Sequence, residues 1–68
     1  MRLRELRKAR HLSQVKLAMD LNVDQNTISR YESGVREPGL RMLIQLADYF
    51  GVSVDYLLER TDNPNINR

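Results

Sequence analysis

Gln25, Asn26, Ser29 and Arg30 are the side chains of this chain with the most particular chemistry, because amides and a guanidinium pair with flat hydrogen-bonding edges. In the run DQNTISRYES, wound at about 100° per residue, Asn26, Ser29, Arg30 and Ser33 share one side of a helix. Gln25 projects from its first turn, and Ile28, Tyr31 and Glu32 fall on the opposite side. Asn or Gln pairs bidentately with adenine in a major groove, and Arg with guanine. A merely solvated helix face more often carries Glu and Lys, so the composition favours base reading.

For that side to face outward, the helix must be pinned from behind and started and stopped cleanly. Asp24 is a suitable N-cap, since its carboxylate accepts from N–H groups two or three residues on. Gly34 suits the C-terminal end. Upstream, Leu17, Ala18 and Leu21 repeat at helical spacing before Asn22 interrupts and Val23 follows. Asn tolerates the left-handed conformation of a sharp turn, and the small Ala18 lets two crossing backbones approach. Residues 14–33 therefore read as a helix-turn-helix. Ser13 caps the first of its helices. Gln14 sits in that helix's first turn, where free N–H groups and the positive dipole end suit a phosphate oxygen. A cap that meets only water is the plainer alternative.

The remaining elements follow from spacing. Residues 2–10 read as a first helix with Leu3, Leu6 and Ala9 on one face and Arg2, Arg4 and Lys8 pointing away. Arg7 lies at the edge of that stripe and Glu32 on the inner face of the later helix. Opposite charges on two packing faces are expected to meet as a partly buried bidentate pair, with independent snorkelling as the alternative. His11 reads as a surface loop residue. In the connection VREP, Arg36 is placed to touch a phosphate strand and Pro38 stiffens the approach to the next helix. From 40 to 50, Leu40, Leu43, Ala47 and Phe50 keep helical spacing, widened by Ile44 and Leu46, and Gly51 ends the run. Ser53 caps a last short helix, 54–58, with Asp55 in its first turn. The fold expected is all-α, a compact five-helix bundle forming one domain over 1–60. TDNPNINR, 61–68, has the composition of a flexible tail or a cut linker.

Sixty-eight residues lie near the lower limit for one self-supporting core. With no cysteine and one histidine, neither a disulfide nor a metal site is expected, and no cofactor or small-molecule ligand is indicated. No Gly-rich phosphate loop, nucleophile–histidine pairing or carboxylate cluster is present, so no enzyme is expected. No apolar run approaches bilayer length, and MRLRELRKAR is charged at helical intervals rather than signal-like; a soluble intracellular protein, with no membrane partner, is expected. Residues 1–41 carry nine Lys/Arg against five acids, and 42–68 two against four. A basic half fits a polyanion; ordinary solvated charge explains it as well, so charge decides little.

The chain resembles the Cro/cI-type helix-turn-helix family, the phage-repressor-like regulators with the lambda-repressor-like fold. The resemblance runs through LSQVKLA at 12–18, TISRYESG at 27–34, Pro38, LIQLADYFGVSVDYLL at 43–58 and RTDNP at 60–64. It implies a sequence-specific double-stranded DNA-binding transcriptional regulator, with repression expected, acting as a homodimer on a pseudo-palindromic operator. It implies base reading by Gln25, Asn26, Ser29 and Arg30, and phosphate contacts from Ser13, Gln14, Thr27 and Arg36. Arg7–Glu32 matches a salt bridge of such repressors, and Val52, Val54, Tyr56 and Leu57 would form the dimer contact. A cytoplasmic, prokaryotic or phage-encoded protein, nucleoid-associated when bound, is implied. Four positions depart from the family pattern: Asn22 for the usual turn Gly, Gly39 for the usual Ser/Thr cap, and Val15 and Met19 where charges are usual. Val15 and Met19 make a small apolar strip, and from it comes the alternative of an antitoxin-like protein-interaction module.

Overall fold

The computed structural model describes residues 1–66; the last two residues of the expected tail, 67–68, lie outside the described residues. Five helices follow one another: α1 (Leu3–Ala9), α2 (Gln14–Leu21), α3 (Gln25–Ser33), α4 (Leu40–Phe50) and α5 (Val54–Leu57). Among the described residues there is no strand, and the architecture is the all-α bundle expected.

The same device ends every helix. A residue in the left-handed region follows the last turn, and the next N–H reaches back five residues. His11, Asn22, Gly34, Gly51 and Glu59 take the left-handed position, at φ 56°, 58°, 80°, 66° and 64°. The closing bonds are Leu12 N–H to Arg7 O, Val23 to Ala18, Val35 to Arg30, Val52 to Ala47 and Arg60 to Asp55, at 2.9 to 3.1 Å. Three helix starts are capped by side chains: Ser13 accepts from Lys16 N–H, Asp24 from Thr27 N–H and Ser53 from Tyr56 N–H. Gly39 starts α4 without a side-chain cap.

Leu3, Leu17, Ile28, Leu46 and Leu57 are fully buried, with Ala18, Tyr31, Ala47, Phe50 and Val52 around them. Each helix gives this core at least one of these residues, and helix termini and turns carry the polar groups outward. Ala18 lies inside, where α2 and α3 cross. Ala9, Leu40 and Ile44 do not join the core as their spacing led us to expect. Ala9 is exposed in the last turn of α1, where Arg7 takes the inward position instead. Leu40, in the first turn of α4, is 76% exposed, and Ile44, one turn on, is exposed as well.

The segment after α5 returns to the body. Ser53 N–H donates to Pro64 O at 2.9 Å, and the Arg2 guanidinium reaches Thr61 O and Asp62 Oδ1 while lying 4.5 Å from the Tyr56 ring centroid. The boundary expected at residue 60 thus falls within a hydrogen-bonded stretch.

Candidate nucleic-acid interface

Asp24 holds the start of α3 firmly. Its Oδ1 accepts from both the N–H and the hydroxyl of Thr27, each at 2.8 Å, and these bonds hold its carboxyl below the ordinary carboxylate range. Ile28 at 0% exposure and the buried Tyr31 fix the helix from behind. That leaves Gln25, Asn26, Arg30 and Ser33 exposed and Ser29 half-buried along the outer side. The structure therefore brings the four expected base-reading residues onto one surface. Arg30 has no ion-pair partner among the described residues.

Ser13 and Gln14 lie beside that surface, at the start of α2. The Ser13 hydroxyl accepts from Lys16 N–H. Gln14 Nε2 donates to Glu32 Oε1 at 3.1 Å, and Gln25 Nε2 donates to Gln14 Oε1 at 3.4 Å. Arg36 is exposed beyond the end of α3, its guanidinium 6.0 Å from the Tyr31 ring centroid. Thr27 gives both its hydroxyl proton and its N–H to Asp24 Oδ1, and its half-buried side chain lies at the start of α3.

Arg7 and Glu32 meet as a fork: Nε to Oε2 at 2.6 Å and Nη2 to Oε1 at 3.0 Å, with Nη1 on the Leu12 carbonyl at 2.8 Å. The Glu32 side chain has no exposure to solvent. Burial pushes its carboxyl upward, but hydrogen bonds from Arg7 and Gln14 and the Arg7 charge outweigh this, and it settles below the ordinary range. Arg4 joins them, Nε to Oε1 at 3.3 Å, a partner that sequence spacing did not indicate because Arg4 was expected to point away from the α1 stripe.

Several cations of the basic half are internal fasteners. Arg10 donates to the carbonyls of Tyr49 and Phe50 at the end of α4. Lys16 pairs with Asp20, which also accepts from the Tyr49 hydroxyl at 2.6 Å. Lys8, Arg30, Arg36 and Arg41 are exposed without ion pairs among the described residues. No group of metal-ligating residues occurs among the described residues. The dimer set is split. Leu57 is 0% and Val52 7% exposed, so both belong to the core. Val54 and Tyr56 are half-buried and hold most of the set's accessible surface.

A helix-turn-helix family model matches residues 3–57, the whole span of the five helices. The chain belongs to the Cro/cI-type helix-turn-helix family. It is 41% identical over 64 residues to the uncharacterised HTH-type transcriptional regulator YobD of Bacillus subtilis, covering 94% of this chain and 57% of that one. It is 33% identical over 61 residues to the cryptic phage CTXphi transcriptional repressor RstR of Vibrio cholerae, covering 90% and 55%. It is 37% identical over 57 residues to the HTH-type transcriptional activator BcrR of Enterococcus faecalis, covering 84% and 28%. No solved structure matches. The chain spans about half the length of the first curated relatives it matches. This is a family of DNA-binding regulators rather than enzymes, and among the described residues no helix is long and apolar enough to cross a membrane.

Proposed function

We propose that this domain binds double-stranded operator DNA in the cytoplasm of a prokaryotic cell and represses transcription. α3 lies in the major groove, where Gln25, Asn26, Ser29 and Arg30 read base edges. Ser13, Gln14, Thr27 and Arg36 position it on phosphates, which fix register without carrying sequence information. The observation that carries this reading is the outer side of α3, rich in amide and guanidinium groups and held out by fully buried Ile28. Two copies bind a pseudo-palindromic site, pairing near α5 where Val54 and Tyr56 remain accessible. Selection from random duplexes at two salt concentrations tests the whole proposal. A motif with two related half-sites about one helical turn apart is expected; indiscriminate binding, or none, would refute it.

A second reading rests on Met19, 71% exposed, beside the exposed Val15 on α2. As a protein-docking strip it would make DNA secondary. The paired substitution Val15→Glu and Met19→Glu separates the two: operator affinity is retained by a DNA reader, and its loss without unfolding would favour the docking role.

A further inference from the structure

Glu32 is a buried acceptor with nothing to donate. An ionised carboxylate offers only lone pairs, and three side chains converge on this one: Arg7, Gln14 and Arg4. Among the described residues, no buried side-chain nitrogen or oxygen lacks a partner. A glutamine has a donor end and an acceptor end, and the group it faces decides which way round it lies. Facing a carboxylate, Gln14 must present Nε2. Its Oε1 is then turned toward Gln25. That oxygen can only accept, so Gln25 must in turn bring its own Nε2, as it does at 3.4 Å.

We propose that Glu32, without touching DNA, is a positioning residue for base selectivity, setting through Gln14 which end of the Gln25 amide each base edge meets. The inference rests on the base-reading role proposed for Gln25. With one Nε2 hydrogen given to Gln14, Gln25 shows the groove one remaining N–H and its Oε1. That donor–acceptor pair fits N7 and N6 of adenine. Guanine presents two acceptors, N7 and O6, and would set O6 against Oε1. With the relay reversed, Gln25 would give its oxygen to Gln14 and show the groove two N–H groups, which suit guanine. The second Nε2 hydrogen of Gln14 stays free for a phosphate, so the relay and the proposed backbone contact are compatible. The 3.4 Å link is open to competition from water in the free protein, and exclusion of water by a duplex would strengthen it.

The test measures affinity for duplexes carrying each base pair at the position where Gln25→Ala abolishes discrimination. The proteins are the unaltered chain, Glu32→Gln, the paired variant Arg7→Leu with Glu32→Leu, and each of these with Gln14→Leu added. Oε1, the atom that serves Gln14, also accepts from Arg7 Nη2 and Arg4 Nε, while Oε2 accepts from Arg7 Nε alone. In Glu32→Gln the amide oxygen therefore takes the Oε1 place and the polarity of the relay is kept. The paired variant removes the acceptor together with its buried cation, and the Gln14 amide is free to turn. The unaltered protein is expected to prefer adenine about tenfold or more. Glu32→Gln should keep that preference, the paired variant should lose most of it at this position alone, and the two should no longer differ once Gln14→Leu has cut the relay. Equal weakening on every duplex, or a preference undiminished in the paired variant, would mean a purely structural Glu32 and overturn the proposal. A spectrum of the DNA-free protein decides the polarity independently of binding and of how well the variants fold. One Gln14 side-chain amide proton should be shifted and slow to exchange. If both exchange like those of a free glutamine, the relay is absent. A slow proton in a protein that selects no duplex would leave the polarity standing and remove the DNA reading beneath it.

Discussion

Arg7→Leu takes the principal cation from a carboxylate that has no contact with water. Three hydrogen bonds go with it, at 2.6 and 3.0 Å to Glu32 and 2.8 Å to the Leu12 carbonyl. Leucine replaces much of the aliphatic stem, so the cavity is small and the electrostatic loss dominates. Breaking a buried pair from one side costs about 3–5 kcal/mol. Gln14 and Arg4 still serve Glu32, which places the cost at the lower end, about 3 kcal/mol. At about 4–8 °C per kcal/mol for a domain of this size, Tm falls by about 12–24 °C. The pH dependence fixes the cause. In the unaltered protein the Glu32 carboxyl lies below its ordinary value, so the pair's contribution is present above that value and is lost as pH falls through the lowered one. In the variant, burial acts with the main cation gone and the carboxyl moves upward, so protonation relieves the unpaired charge. Unfolding in urea at about pH 7 and about pH 3 should therefore show a deficit that shrinks in acid. Adding Glu32→Leu should recover most of the loss, because apolar replacement of both partners is often neutral. A deficit below about 1 kcal/mol, or one equal at both pH values, would refute the account.

Arg30→Ala should lose about 1–3 kcal/mol on the selected operator and relax preference at one base pair; uniform weakening measured across duplex variants would count against base reading. Arg36→Ala should weaken every duplex alike and reduce the slope of log affinity against log salt by about 0.9 per copy, and an unchanged slope would remove it from the phosphate set. His11→Gly should stabilise the free domain by about 1 kcal/mol, since the left-handed conformation is costly for a side chain with a Cβ; a thermal melt showing no rise would contradict that.

Most of the helix boundaries were legible because their signals are local. Ser13, Asp24 and Ser53 announce helix starts by what their side chains accept, and Asn22, Gly34 and Gly51 mark ends by the backbone they tolerate. The ends at His11 and Glu59 use the same conformation without a Gly or Asn, so their types carried a weaker signal. Periodicity shows which residues share a face but not where the neighbouring body stops. Leu40 and Ile44 therefore read as core yet stay exposed. Val52 and Leu57, which the family resemblance had offered as a contact surface, fill the interior. The Arg7–Glu32 pair was legible because both charges interrupt apolar stripes. The links from Glu32 to Gln14 and on to Gln25 were not, because they depend on the angle at which α2 crosses α3.

The same reach of long side chains thins the exposed charge of the basic half, from which composition alone decided little. Arg2, Arg7 and Arg10 each end on backbone carbonyls or carboxylates of another segment. In a domain too small for a large core, they fasten α1 to α3, to the end of α4 and to the chain beyond α5. Their charge is thereby withdrawn from any long contact with phosphates, and the free cations left near the outer side of α3 are few. On the proposed reading, affinity for DNA leans on oriented hydrogen bonds more than on neutralised phosphates. Those bonds need their donors and acceptors held the right way round. A buried carboxylate that cannot donate supplies that orientation at its source, so the residue that locks α1 to α3 also governs what the surface of α3 presents.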